Sequence, residues 1–143
     1  MSTNIIIKKV WEDDFCAEFN IKFESKMNCE NFAVSGNFYL SDGKIFEQLA
    51  KALSDGFGVV AFKGLDGNFC ELKISQNYNG LKNINYHLFI KEQNNNTENN
   101  LDISINTGYI VESAVVDRIT SRLKGFYNEL QGCEISLICL EEC

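Results

Sequence analysis

Apolar residues fall on alternate positions over long stretches of this chain. Phe15, Ala17, Phe19, Ile21 and Phe23 alternate with Cys16, Glu18, Asn20, Lys22 and Glu24. A period of two is the mark of a strand with one buried face. Residues 5–11 predict a strand before it. Phe32, Val34, Phe38 and Leu40 continue the same period after it, with Gly36 as the site of a bulge. Successive strands that each keep a wet face point to antiparallel pairing.

The period then changes. Ile45, Phe46, Leu49, Ala50 and Leu53 recur at helical spacing, with Ser41-Asp42 as a cap and Gly56 as a stop. This predicts a helix near residues 42–55 that lies on the sheet. A meander follows, with segments 59–65 and 69–75 flanking Asp66-Gly67. Segments 70–78 and 81–90 flank Asn79-Gly80. Both dipeptides suit two-residue hairpin turns. The run of asparagines at residues 94–100 is polar throughout and is expected to be a solvated loop. Leu101, Ile103 and Ile105 form another alternating strand. Val115, Val116, Ile119, Leu123, Phe126, Tyr127 and Leu130 follow at close to 3.6 residues. They predict a second helix near residues 113–131, capped by Ser113 and ended by Gly132. A last apolar segment, residues 133–140, is expected to be a strand. The order predicts an α+β fold, mainly antiparallel sheet of six to eight strands with two amphipathic helices packed on it.

Composition narrows the function classes. The chain has 143 residues, which suits one domain spanning residues 1–143. Twenty acidic residues against 13 basic ones give a formal charge of −7. Such a surface repels phosphate backbones and anionic lipid, so direct nucleic-acid and membrane binding are disfavoured. It favours solubility, and it suits a basic protein partner. The short apolar run Ile5-Ile6-Ile7 ends at Lys8 and Lys9, unlike a signal peptide. A cytoplasmic protein is expected, and its six cysteines then read as reduced thiols. Cys70, Cys133 and Cys139 fall in the apolar phase of their segments, as small core residues do.

Motifs for chemistry are missing. No cysteine pair has CxxC spacing and His87 is the only histidine, so no metal site is expected. Gly56-Phe57-Gly58 lacks the rest of a phosphate-binding fingerprint, and no cofactor is expected. His87 on the polar side of a strand has no nucleophile beside it in sequence, so an enzyme is not expected. The carboxylates gather once, at Glu12-Asp13-Asp14, directly after Trp11. Such a run is ordinarily a solvated turn. As a functional site it is a partner-binding patch, with Trp11 as its anchor. Trp11 is equally consistent with a place in the core.

The order of elements carries a resemblance. Phe38-Tyr39-Leu40-Ser41-Asp42 leads into the helix through Ile45 and Leu53. Then come Cys70-Glu71-Leu72-Lys73-Ile74, the strand Ile84-Asn85-Tyr86-His87-Leu88-Phe89-Ile90, and Leu101-Asp102-Ile103-Ser104-Ile105. A helix closing on Leu123-Lys124-Gly125-Phe126-Tyr127-Asn128-Glu129-Leu130 ends it. Over roughly residues 15–130, about one domain, this resembles the WapI-type immunity proteins and similar immunity domains of bacterial polymorphic toxin and contact-dependent growth inhibition systems. The resemblance is one of element order and apolar phase. It implies neutralisation of a cognate toxin C-terminal domain by direct binding, with no residue performing chemistry. Toxins of this kind are often nucleases and therefore basic. Two other readings stand beside it: a small ligand-binding or regulatory domain with a pocket between sheet and helices, and an enzyme that brings Cys16, Cys70 or Cys139 to His87.

Overall fold

A computed structural model describes residues 2–27, 30–64, 67–76, 82–94, 97–109 and 113–138. Its strands are β1 (Ser2–Glu12), β2 (Ala17–Met27), β3 (Glu30–Leu40), β4 (Gly58–Lys63), β5 (Phe69–Gln76), β6 (Lys82–Asn94), β7 (Thr97–Tyr109) and β8 (Glu134–Ser136). The helices are α1 (Lys44–Asp55) and α2 (Ser113–Gly125), the latter followed by one 3₁₀ turn, Phe126–Asn128. The fold is α+β and antiparallel, as the hydrophobic pattern predicts. The strands divide into two four-stranded sheets, ordered β3-β2-β1-β8 and β4-β5-β6-β7.

The alternating phase of each strand turns one face inward. Ile5 and Ile7, Phe19 and Ile21, and Phe38 from the first sheet are buried. They meet Val60 and Phe62, Cys70 and Leu72, and Ile84, Tyr86 and Leu88 from the second. Each fully buried large side chain contributes about 1.5–3 kcal/mol, so this seam dominates the stability. The strands of the two sheets cross at an angle. Along β3, Phe38 meets Phe62 of β4 with ring centroids 6.4 Å apart, whereas Val34 offers its carbonyl to the Tyr86 hydroxyl of β6 at 3.4 Å. The helices pack on each other and α1 packs on β4. Phe46 of α1 lies edge-on to Phe19 at 4.9 Å and to Phe126 at 5.3 Å. These buried rings lie between sheet and helices, where a ligand-binding reading would put its pocket.

Several local expectations are corrected. Gly36 is not a bulge, because β2 and β3 pair without interruption from Ala17↔Leu40 to Met27↔Glu30. It is glycine because a Cβ there would stand 3.0 Å from both Leu88 Cδ1 and the Phe38 ring. The bulge lies in β1 instead, between Lys9 and Trp11. Helix α1 starts after Gly43, with no side-chain cap; Asp42 Oδ1 accepts from the Lys44 N–H one step earlier, at 3.0 Å. Gly56 does end it, in the left-handed conformation (φ 80), donating its N–H to Ala52 O.

The connection at Asp66-Gly67 is longer than two residues, since the ladder closes at Lys63↔Phe69 and Gly64 N–H donates to Asn68 O at 2.7 Å. Asn79-Gly80 lies outside the described residues, between strands paired as far as Gln76↔Lys82. Most of the asparagine run is strand, not loop: β6 and β7 stay in register to Asn94↔Thr97. Ladder partners can hold polar residues that have no apolar phase of their own. Helix α2 stops at Gly125, which leaves Leu130 on the surface. Gly132 serves β1, donating its N–H to Lys9 O at 2.7 Å. The last strand is only three residues long, and Cys139 and Cys143 lie outside the described residues.

Candidate functional site

The bulge decides what the β1–β2 end presents. Lys9 pairs with Phe19 and both face inward, but Trp11 pairs with Glu18 rather than Ala17. One extra residue, Val10, therefore reverses the phase and turns Trp11 to the outer face. Trp11 is 42% exposed, so it is not core. Glu18 pairs in turn with Tyr39 of β3. Trp11, Glu18 and Tyr39 thus form a row across the outer face of the first sheet, the aromatics two strand spacings or about 10 Å apart. Tyr39 is 44% exposed, and Phe15 in the turn beside them is 84% exposed. Its phase suggested an inward Phe15, but β2 begins only at Ala17.

Beneath the row sits a buried lysine. Lys9 is fully buried, and its Nζ donates to Glu12 Oε2 at 2.7 Å, Tyr127 O at 2.6 Å and Glu129 O at 2.9 Å. It also lies 5.5 Å from the centre of the Tyr127 ring. All three ammonium donors are matched, as burial of a charge requires. The lysine ties β1 to the segment after α2. The Tyr127 hydroxyl completes the tie by donating to Leu40 O at 3.1 Å.

The acidic residues therefore have different tasks. Glu12 neutralises Lys9. Asp13 closes the turn at residues 13–16: its Oδ1 accepts the N–H of Phe15 at 2.8 Å and of Cys16 at 2.9 Å. Those two backbone hydrogen bonds hold its carboxyl below the usual range. Asp14 is exposed at the tip. Glu18 Oε1 accepts from Asn37 Nδ2 at 2.9 Å, which holds it in the row. Asp42 follows β3 two residues beyond Leu40, whose carbonyl takes the Tyr127 hydroxyl; burial first, and then nearby groups including Cys16 and Asp42, raise that hydroxyl. Of the residues singled out from sequence, Trp11 faces outward and Asp14 is exposed, whereas Glu12 turns to Lys9 and Asp13 to the backbone of the turn. Phe15, Glu18 and Tyr39 complete the patch. Tyr39 was legible as an aromatic in the polar phase of its strand; Phe15 and Glu18 gave no signal.

Of the other candidates, His87 lies on the outer face of the second sheet. Its Nε2–H donates to Asp102 Oδ1 at 2.6 Å, and its ring stands edge-on to Phe69. Cys70 pairs with Leu88, so its thiol points to the opposite face of that sheet from His87. Burial pushes that thiol up to about 12, the reverse of an activated nucleophile. Cys16 belongs to the acidic turn of the other sheet. Its thiol is also raised, by partial burial and then by Asp13. Among the described residues no group of three or more His, Cys, Asp and Glu is placed to hold a metal ion. Within the same residues no helix is long and apolar enough to cross a membrane.

Two hollows open on the described surface. One of about 490 Å³ lies on the outer face of the first sheet among Lys8, Asn20, Lys22 and Asn37. The other, about 790 Å³, opens at the far end of that sheet, between Phe23 and Phe32 below and Ile105 of β7 above. Compared with protein-family models, with curated proteins and with solved structures, the chain has no match in any of the three.

Proposed function

We propose that this protein acts by binding a basic protein partner through the aromatic and acidic end of its first sheet, and that the partner is a toxin domain it neutralises in the cytoplasm. One observation carries the reading. Trp11, Phe15 and Tyr39 are exposed at one end of the first sheet, near Asp14 and Glu18 and at a turn closed by its own hydrogen bonds. Exposed aromatics in a rigid frame are what interface anchors need, since little order remains to be imposed on binding. The surrounding carboxylates speed encounter with a positive surface. A nuclease domain is such a surface because it holds phosphates. The resemblance of element order to immunity proteins of polymorphic toxin systems supports the identity of the partner, and the net charge of −7 agrees with it.

The partner would be encoded beside this protein, at the C-terminus of a larger secreted protein. Co-expression with that domain is expected to give a stable complex and to restore growth. A toxic neighbouring domain that neither binds nor is neutralised would remove the reading.

A further inference from the structure

We propose that the mouth cleft beside β7 receives an extended segment of a basic protein, which adds to β7 as a fifth strand of the second sheet. The cleft lies at the opposite end of the first sheet from Trp11. Eight residues of strand separate Trp11 from Thr3 at its rim, roughly 26 Å at strand rise. It is therefore a second site, and it stands whether or not the partner is a toxin.

Three observations lead here. The first is backbone. β7 is the last strand of its sheet, and among the described residues nothing pairs with its outer edge. Its 13 residues stay in unbroken register with β6, so no bulge twists the edge away. Neither proline nor lysine occurs in it. Three of the usual guards of a sheet edge, a bulge, proline and lysine, are therefore missing, and among the described residues nothing matches the alternate N–H and C=O groups that face outward.

The second is burial. The inward residues of β6, Ile84, Tyr86 and Leu88, are sealed. Those of β7 are not: Ile103 and Ile105 are half-buried and Leu101 is 41% exposed. Phe32, on the other wall of the cleft, is 49% exposed. Because the cleft beside β7 is lined by Thr3 of β1, Phe23 of β2 and Glu30 and Phe32 of β3, a strand laid along β7 would run over the ends of β1, β2 and β3. Every second side chain would then drop into the cleft between Ile105 and Phe32. The ligand is thus a strand with alternating apolar residues, a recognised mode of peptide capture.

The third is charge, and it selects the partner. Among the described residues Glu30 is the one charged residue lining the cleft. The sequence of β7 contributes Glu98 and Asp102 and no arginine or lysine. A second copy would bring the same acids and a further −7 against them. A segment with a lysine or arginine opposite Glu30 meets the opposite sign.

The test uses the full chain and a nine-residue synthetic peptide of alternating valine and threonine with a lysine at each end. Amide exchange followed by NMR should slow at alternate residues between 101 and 107, with shifts at Phe32. The same peptide with glutamate ends should bind about fivefold more weakly, and Glu30→Lys should reverse that order. N-methylation of every second peptide amide should abolish the protection. Four results overturn the proposal. They are unprotected β7 amides at millimolar peptide, equal binding of the N-methylated peptide, protection that grows with protein concentration alone, and full protection in the dilute free protein. The third would make a second copy the occupant, and the fourth would make it the chain itself.

Discussion

The two ends of the first sheet handle exposure in opposite ways. At the β1–β2 turn, the interior is closed by a lysine with three matched donors, and three aromatics are turned outward on a fixed frame. At the far end, aromatic and aliphatic side chains line an open mouth beside an unpaired strand edge. One end shows its apolar groups to solvent beside a turn held by its own hydrogen bonds. The other leaves them in a cleft. The difference rests on single residues: the bulge at Val10 makes the first, and the lack of a strand beyond β7 among the described residues makes the second. An exposed aromatic patch suits docking onto a folded surface, and a bordered cleft suits capture of an extended segment.

Substitutions can break this comparison, and the locked end should respond most. Lys9→Ala strands two carbonyl groups and the Glu12 carboxylate, and leaves a cavity. It should cost about 3 kcal/mol in urea unfolding. A loss no larger than that of a surface residue would mean the turn is not held from below. Gly36→Ala should cost about 2 kcal/mol, because Leu88 and Phe38 must both give way where the sheets meet. Phe32→Ala at the open mouth should cost only about 1 kcal/mol, well below the 3–5 typical of a buried phenylalanine. A larger loss would show that the mouth is sealed. Trp11→Ala should stay within about 0.5 kcal/mol of the parent, as a surface position does. The smallest effect is that of pH. Asp13 has a folded pKa lowered from its ordinary 3.8. Its contribution is therefore complete above that value and fades as pH falls through the lower folded one. Protection of the Phe15 and Cys16 amides, taken relative to their intrinsic exchange rates at each pH, should fall only in that acid range, and loss of protection at neutral pH would contradict the role given to Asp13.

Much of the fold was legible because burial writes itself into phase. Phe19, Ile21 and Phe23 on β2 and Phe46, Leu49 and Leu53 on α1 all point where their periods predict. The candidate site was legible only as a cluster of letters. Along β1, Ile5, Ile7, Lys9 and Trp11 share one phase, so simple alternation puts Trp11 inside and makes Lys9 a defect. The truth is the reverse for a reason that lies far away in sequence: the acceptors of Lys9 are the carbonyls of Tyr127 and Glu129. The division into two sheets was hidden for the same kind of reason, since strand order is set by long-range packing. The asparagine run had no apolar phase to read, and only its partners on β6 make it a strand. Glu12 and Asp13 looked equivalent to Asp14, yet each has a structural task. Charge reversal of all three would test folding as much as binding.

Asp14 and Trp11 are thus the cleaner probes, and one measurement uses both. Association and dissociation rates with the neighbouring toxin domain should be compared for the parent, Trp11→Ala and Asp14→Lys, at low and at physiological salt. The account predicts dissociation at least about tenfold faster for Trp11→Ala. For Asp14→Lys it predicts slower association with a weaker dependence on salt. Unchanged rates in both variants would contradict the assignment of this end of the sheet as the binding surface.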